Sequence, residues 1–351
     1  MAHQAPKRPR VSVVMAVHDG AGHLTRAVDS VLSQSLSNIE FIAVDCDSHD
    51  RTPAMLESSR DRDIRVEVIT RASDDLLAGF AAGLAAARGD YVAFMRQDDW
   101  LAPDYLRVLI ERADEDDLEL VFGTRSADTW DRKGDTCDSR CLSWGDETWT
   151  TPEEIRGRVG VLYERGLFDG AAGALVARPL AQTSHGASTT VVQGFAYIMA
   201  CIAHVSRMGV VESPCYHAVS YKTAASRAFD PRLAERCADE HAQIMGLVTA
   251  WGLQLNPDVM GPIHRRHVRR LIECIDNASV GTSSSATSNE RVEQVQSMID
   301  ADDARESLRA VEPDSHEFGI MYRPMAKGNA QGCCFGARLR EFARISHLPL
   351  V

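Results

Sequence analysis

Five short apolar runs, each rich in β-branched residues and each separated from the next by a helical pattern, occupy the first 122 residues. They are VSVVMAV (Val11 to Val17), IEFIAV (Ile39 to Val44), RVEVIT (Arg65 to Thr70), YVAFM (Tyr91 to Met95) and LELVF (Leu118 to Phe122). Near-continuous apolar runs of this length belong to strands covered on both faces. Between them, His23 to Gln34 repeats Leu24, Ala27, Val28, Val31 and Leu32 at helical intervals. Asp75 to Arg88 is rich in alanine and leucine and stops at Gly89, and Pro103 opens a third helix through Leu106 and Leu109. Strand and helix in strict alternation predict an α/β fold with a doubly wound, mainly parallel sheet.

Periodicity then fails from Ser126 to about Pro152, which reads as a long surface excursion. A strand-like pattern resumes at Gly173 in GALVARPL, and Phe195 to Gly209 reads as a buried helix ended by glycine. Beyond Ser226 the chain turns helical, with a start signal at Asp230 and Pro231 and a stop at Gly252. Ser279 to Glu290 has linker composition, and helices follow around Val292 to Ala310 and Ala337 to Ile345. The expected organisation is a catalytic-type α/β domain over 1–225 and a helical accessory region over 226–351.

A net charge of -12 on 351 residues argues against a polyanion-binding protein as a whole, so no nucleic acid partner is expected, while a small anionic ligand at one local site is compatible with it. No apolar run reaches the roughly 20 residues that span a bilayer, and MAHQAPKRPR lacks a secretion signal's apolar core, so a cytoplasmic protein is expected. Nine scattered cysteines suit reduced thiols; Cys137 and Cys141 have no second pair to complete a zinc site.

Ligands of a doubly wound sheet bind beyond the carboxyl ends of its strands. That rule selects HDGAG after the first strand, DCDSHD after the second and RQDDW after the fourth. Asp45 and Asp47 in the second stretch suit a ribose or base, or simply cap a helix. Asp98 and Asp99 in the third repel one another as neighbours, a cost that a divalent cation removes. A dinucleotide-dependent oxidoreductase is the competing reading of Gly20-x-Gly22, but Leu24 and Thr25 stand where the third glycine is sought.

Two stretches, VSVVMAVHDGAGHLTRAVDSVLSQSLSNIEFIAVDCDSHDRT and AARGDYVAFMRQDDWLAPDYL, resemble the family 2 glycosyltransferases of GT-A fold, collinearly from about Val11 to Gly123. The resemblance implies transfer of a sugar from a nucleoside-diphosphate sugar to a hydroxyl of a glycan or lipid-linked acceptor, as in polysaccharide biosynthesis, with Mn2+ or Mg2+ on the diphosphate. It places the cation on Asp98 and Asp99 and the nucleotide among Ala16, Val17, His18, Asp19, Asp45, Asp47 and Asp98.

Several positions depart from that family's pattern. Ala16, Val17, His18 and Asp19 stand for Pro-Val-Tyr-Asn, Cys46 for a second aspartate, Phe80 and Ala81 for Arg-Asn, and Arg96 for a first carboxylate. The family's catalytic base falls on Gln193 and Gly194, neither of which accepts a proton. Asp169, His185, Glu212 and His217 are the substitutes in the same half. The alternative reading is a GT-A scaffold without turnover, serving as a binding or regulatory partner in a homo- or hetero-oligomer. The basic run HRRHVRR (His264 to Arg270) suits either peripheral contact with an anionic membrane face or an ordinary solvated helix face.

Overall fold

The strands β1 (Val11–Val17) and β2 (Ile39–Cys46) are buried at every position, as continuous apolar runs require when helices cover both faces. The computed structural model describes residues 8–131, 135–187, 194–222, 228–282 and 286–346. The chain divides into two units, one built from Met1–Arg156 and Gly166–Lys222 and the other from Gly157–Arg165 and Thr223–Val351.

In the first unit, α1 (Leu24–Leu32) and α2 (Thr52–Arg62) follow β1 and β2. β3 (Val66–Arg71), α3 (Leu76–Ala86) and β4 (Tyr91–Arg96) come next, then β5 (Trp100–Leu101), α4 (Tyr105–Asp116) and β6 (Leu120–Phe122). Asp75 caps α3 by accepting from the amides of Leu77 and Ala78. That helix lies close against the sheet through two glycines one turn apart: a Cβ at Gly79 would meet Cys46 Sγ at 2.5 Å, and one at Gly83 would meet Val14 Cγ1 at 2.3 Å. Cys46 is therefore a buried filler beneath α3, which is what a thiol offers where a carboxylate has no room.

The polar segment read as an irregular excursion is ordered as β7 (Arg125–Trp130), β8 (Cys137–Leu142) and β9 (Glu147–Trp149), followed by α5 (Pro152–Glu164), whose residues from Gly157 onward belong to the second unit. The apolar signal was missing because β8 is an edge strand, exposed at five of its six positions. The rest of the unit is β10 (Leu175–Ala177), α6 (Arg178–Ala187), α7 (Phe195–His204), β11 (Met208–Val210) and β12 (Tyr216–Tyr221). Gly209 does not end the buried helix. It lies within β11, where a Cβ would meet Leu118 Cδ1 at 2.7 Å, and the helix has already stopped at Val205.

Eight strands form the main sheet in the order β3-β2-β1-β4-β10-β6-β11-β9, parallel except for β10 and β9. A smaller sheet runs β5-β12-β7-β8. The strand order reverses at β1, whose neighbours are β2 and β4, and the core packs around Phe41, Met15, Tyr105 and Leu106.

The second unit is helical: α8 (Leu233–Ala250), α9 (Pro257–Val280), α10 (Ser288–Asp300), α11 (Asp302–Ala310), a 3-10 turn (Glu312–Phe318), α12 (Gly319–Ala326) and α13 (Ala330–Ser346). Its core gathers Ile272, Ile275, Val295, Phe318 and Met321 around α9. The linker expected over Ser279 to Glu290 is shorter than its composition suggests. α9 runs through Val280, and Thr287 and Glu290 close a capping box on α10; 283–285 lie outside the described residues.

The basic run offered to a membrane face is turned to internal carboxylates. Arg265 and Arg269 both bond Glu164, and Arg270 pairs with Glu240 and Glu273. His264, Arg266 and His267 are buried. Among the described residues no helix is long and apolar enough to cross a membrane.

Candidate functional site

Parallel pairing sets Val17 beside Asp45 and Ala16 beside Arg96, so the strands β1, β2 and β4 end level at the point where the strand order reverses. Two loops there are clipped together. Asp19 N donates to Ser48 Oγ at 3.0 Å and the Asp19 carboxylate accepts from His49 N at 2.7 Å. Gly20 N donates to Thr52 Oγ1 at 2.8 Å and Ala21 N to Asp50 Oδ2 at 3.0 Å. The amides that a dinucleotide's pyrophosphate needs are thus already taken, which counts against the Gly-x-Gly reading.

Asp19 and Asp47 both adopt left-handed backbone, with φ of 46° and 57°. Aspartate tolerates this conformation better than most residues, and each makes the turn that leads its loop away from a strand. Across the other side of β1, Gln97 Oε1 accepts from His18 N at 2.9 Å while its Nε2 donates to His18 O at 3.1 Å. His18 Nδ1 bonds the Cys46 carbonyl at 2.7 Å, and that bond raises the imidazole pKa. Ala16 and Val17 are fully inside the sheet, so they contribute backbone and packing.

Asp45 is 3% exposed, and its Oδ1 is buried without a hydrogen-bond partner among the described residues. A buried carboxylate oxygen left unpaired is costly, and at a strand end it marks a place prepared for a donor.

The two adjacent aspartates part company. Asp98 stays half-buried, in a long 3.9 Å ion contact with Arg96. Asp99, expected to share a cation with it, is fully buried, and both oxygens are engaged: Tyr216 Oη donates to Oδ2, and Val219 N to Oδ1 at 2.8 Å. Burial raises the Asp99 pKa against the opposing pull of Arg96 and these two donors. Asp99 is a buried tie between the turn after β4 and β12, and its amide closes that turn by donating to the Arg96 carbonyl at 3.2 Å. Of the two carboxylates expected to share a cation, Asp98 is the one whose oxygens are not claimed by hydrogen bonds among the described residues.

Of the four candidate bases, register carries Asp169 and Glu212 to the strand-end side. Ala172 bridges Phe94 just before β10 begins, which sets the exposed Asp169 near the end of β4. Glu212 follows β11 beside the end of β6 and is exposed. His185 stands in the last turn of α6. His217 stacks on Trp100, rings 3.5 Å apart and 8° from parallel, with Nδ1 2.9 Å from Asp128 Oδ2. Asp128 is buried, which opposes ionisation, yet bonds from Ser126 and His217 leave its pKa below the ordinary carboxylate value. Gly194 begins α7, and Gln193 lies outside the described residues.

Sequence reasoning missed the wall beside this site, an open groove of about 900 Å3 lined by His23, Arg26, Asp29, Trp100, Trp130 and Tyr221, among others. His23 and Tyr221 pair through a 2.9 Å hydrogen bond, and the Arg26 guanidinium lies 5.9 Å from the Trp100 ring and 6.0 Å from that of Trp130. These residues come from α1, β5, β7 and β12 and the turn before α1, so no local motif announces them. Gln97 was visible inside RQDDW but carried no signal of its contact with His18.

Residues 12–165 match the model of "Glycosyl transferase family 2". The succinoglycan biosynthesis protein ExoO of Rhizobium meliloti is 38% identical over 110 residues, 31% of this chain and 31% of its own length. The uncharacterized glycosyltransferase EpsJ of Bacillus subtilis is 33% identical over 113 residues, covering 32% and 33% of the two chains. The chain thus spans about a third of the length of these curated relatives. Among solved structures, S. aureus TarS 1-349 superposes with a TM-score of 0.58 over 95% of this chain and 92% of that one, at 12% identity. The same protein in complex with UDP-GlcNAc gives 0.57 at 13% identity over the same shares. At that identity the likeness is one of fold, a mixed α/β GT-A architecture with a helical region after it. The likeness to glycosyl transferase family 2 thus rests on residues 12–165, the stretch that carries the strand ends of β1, β2 and β4.

Proposed function

We propose that the chain transfers a sugar from a nucleoside-diphosphate sugar to a hydroxyl of a growing polysaccharide or related glycan. The observation that carries this reading is Asp45, whose buried, unpaired Oδ1 at the end of β2 suits the N–H of a nucleobase. The clipped loops His18 to Ala21 and Asp47 to Thr52 form the floor beneath it. ExoO's role in succinoglycan biosynthesis and TarS's binding of UDP-GlcNAc support the substrate class.

A divalent cation fits Asp98, a half-buried carboxylate whose ion contact with Arg96 is a long one. Mg2+ and Mn2+ commonly rest on one or two carboxylates and complete their shell with phosphate oxygens and water. Bound there, such an ion supplies charge neutralisation on the departing diphosphate. Asp169 lies three residues before Ala172, which bridges Phe94 of β4, and it is the base candidate that this reading adopts. The groove beside Trp100 and Trp130, with aromatic walls and a polar rim of His23, Arg26, Asp29 and Tyr221, suits a sugar acceptor.

The commitment of Asp99 to Tyr216 favours one rival, a scaffold that binds nucleotide without turnover, since it leaves a single cation ligand. Melting curves with nucleoside diphosphates, with and without Mn2+, separate the readings when combined with assays of sugar release and transfer. Metal-dependent binding with transfer supports the enzyme, binding without release or transfer across glycan acceptors supports the scaffold, and no nucleotide binding overturns both.

A further inference from the structure

Within the helical unit, α8, α9 and α11 bring His241, His267 and Asp303 together, with one donor atom of each within 4.8 Å of the others. The two imidazoles lie 3.6 Å apart, centre to centre. His241 is 5% exposed, and its Nδ1 is buried with no hydrogen-bond partner among the described residues. His267 Nδ1 is 3.4 Å from Ser307 Oγ, and the same hydroxyl is 2.9 Å from His264 Nδ1. The other ring nitrogen of His267, Nε2, lies on the side of Asp303, 3.9 Å from Oδ2.

The buried His241 Nδ1 has neither a donor nor an acceptor beside it among the described residues, and a second imidazole crowds the same space. Ordinary core histidines avoid this by each finding a partner. The contradiction disappears when a cation occupies the common point.

We propose that His241, His267 and Asp303 form a zinc site that ties α8, α9 and α11 together. Two imidazole nitrogens and one carboxylate oxygen suit Zn2+, whereas Mg2+ and Ca2+ select oxygen. Ser307 takes the orienting role that a ligating histidine's other nitrogen requires. Ligand distances of about 2.0–2.2 Å place donor atoms around tetrahedral zinc roughly 3.5 Å apart, so the site closes by a small inward swing. Asp303, with its side chain 42% exposed, is the residue that moves and the route by which the ion enters; water takes the fourth position. The ion's role is structural and independent of sugar transfer.

The test uses the full chain carrying Cys137→Ser and Cys141→Ser, so that these exposed thiols do not compete for the added metal. After chelator treatment, the protein is titrated with ZnCl2 by calorimetry and melted with and without the metal. One equivalent binds, and at a hundredfold excess over Kd the melting temperature rises by about 5–10 °C, reversed by EDTA. Asp303→Asn, on the exposed rim where folding is not at stake, weakens binding at least tenfold, as does His267→Gln, while Asp98→Ala leaves this equivalent intact. Absence of a zinc equivalent, or Asp303→Asn binding as tightly as the parent, overturns the proposal.

Discussion

Tyr216 donates its phenolic proton to Asp99, and through that bond a residue of β12 holds the turn at the end of β4. Tyr216 is fully buried, and burial together with the Asp99 charge holds its pKa well above the ordinary phenol value, so the proton stays on the tyrosine. Asp99→Ala leaves the Tyr216 hydroxyl and Val219 amide unsatisfied and lowers stability by about 2–4 kcal/mol. Tyr216→Phe removes one of the two donors and costs about 2 kcal/mol. Urea denaturation of both variants checks the order; equal stability to the parent would remove the structural role assigned to Asp99.

Asp98 gives the opposite signature. Its carboxylate is engaged by a 3.9 Å ion contact alone among the described residues, so Asp98→Ala changes unfolding free energy by no more than about 0.5 kcal/mol. The same variant loses the Mn2+-dependent part of nucleoside-diphosphate affinity, read by calorimetry with and without the metal. Retention of that part in Asp98→Ala would move the cation elsewhere.

Asp45→Ala separates binding from folding at a buried position. Removing an unpaired carboxylate oxygen relieves a desolvation cost, so the ligand-free variant melts no lower than the parent despite the lost side chain. Nucleotide affinity falls by about 10–100-fold, the value of one hydrogen bond to a charged group. A variant that binds nucleotide normally would return Asp45 to ordinary packing.

The helical unit carries its own acid sensitivity. Burial opposes ionisation of Glu164, but Arg265 and Arg269 outweigh it and hold the carboxyl below its usual value. A depressed carboxylate contributes stability that is complete above its unfolded pKa of about 4.5 and is lost as pH falls through the folded value. Denaturation midpoints therefore drop below about pH 4.5 in the parent. Glu164→Gln flattens this part of the profile and costs about 2 kcal/mol at pH 7, where the charge-assisted bonds are otherwise intact.

The sheet was legible because β1, β2 and β4 are buried on both faces, and a continuous apolar run of that length suits a covered strand and little else. The smaller sheet was not. β8 is exposed throughout most of its length, and β12 pairs with a strand about 90 residues earlier, so neither periodicity nor local motif reports it. The site was read in part. Sequence places Asp98 and Asp99 side by side, yet only tertiary structure reveals that Tyr216 and Val219, more than a hundred residues onward, claim one of them. Cys46 shows the reverse case: its lack of hydrogen-bonding power is visible in sequence, while the close approach of Gly79 that accounts for it is not.

The bonds that join Asp19, Gly20 and Ala21 to Ser48, His49, Asp50 and Thr52 exist before any ligand arrives. Loop ordering, which commonly opposes binding by about 0.5–1.5 kcal/mol for each immobilised side chain, has largely been met during folding. Hydrogen exchange then finds the amides of Gly20 and Ala21 already slow in the free protein. For any ligand received there, association is governed by encounter instead of by rearrangement of this floor.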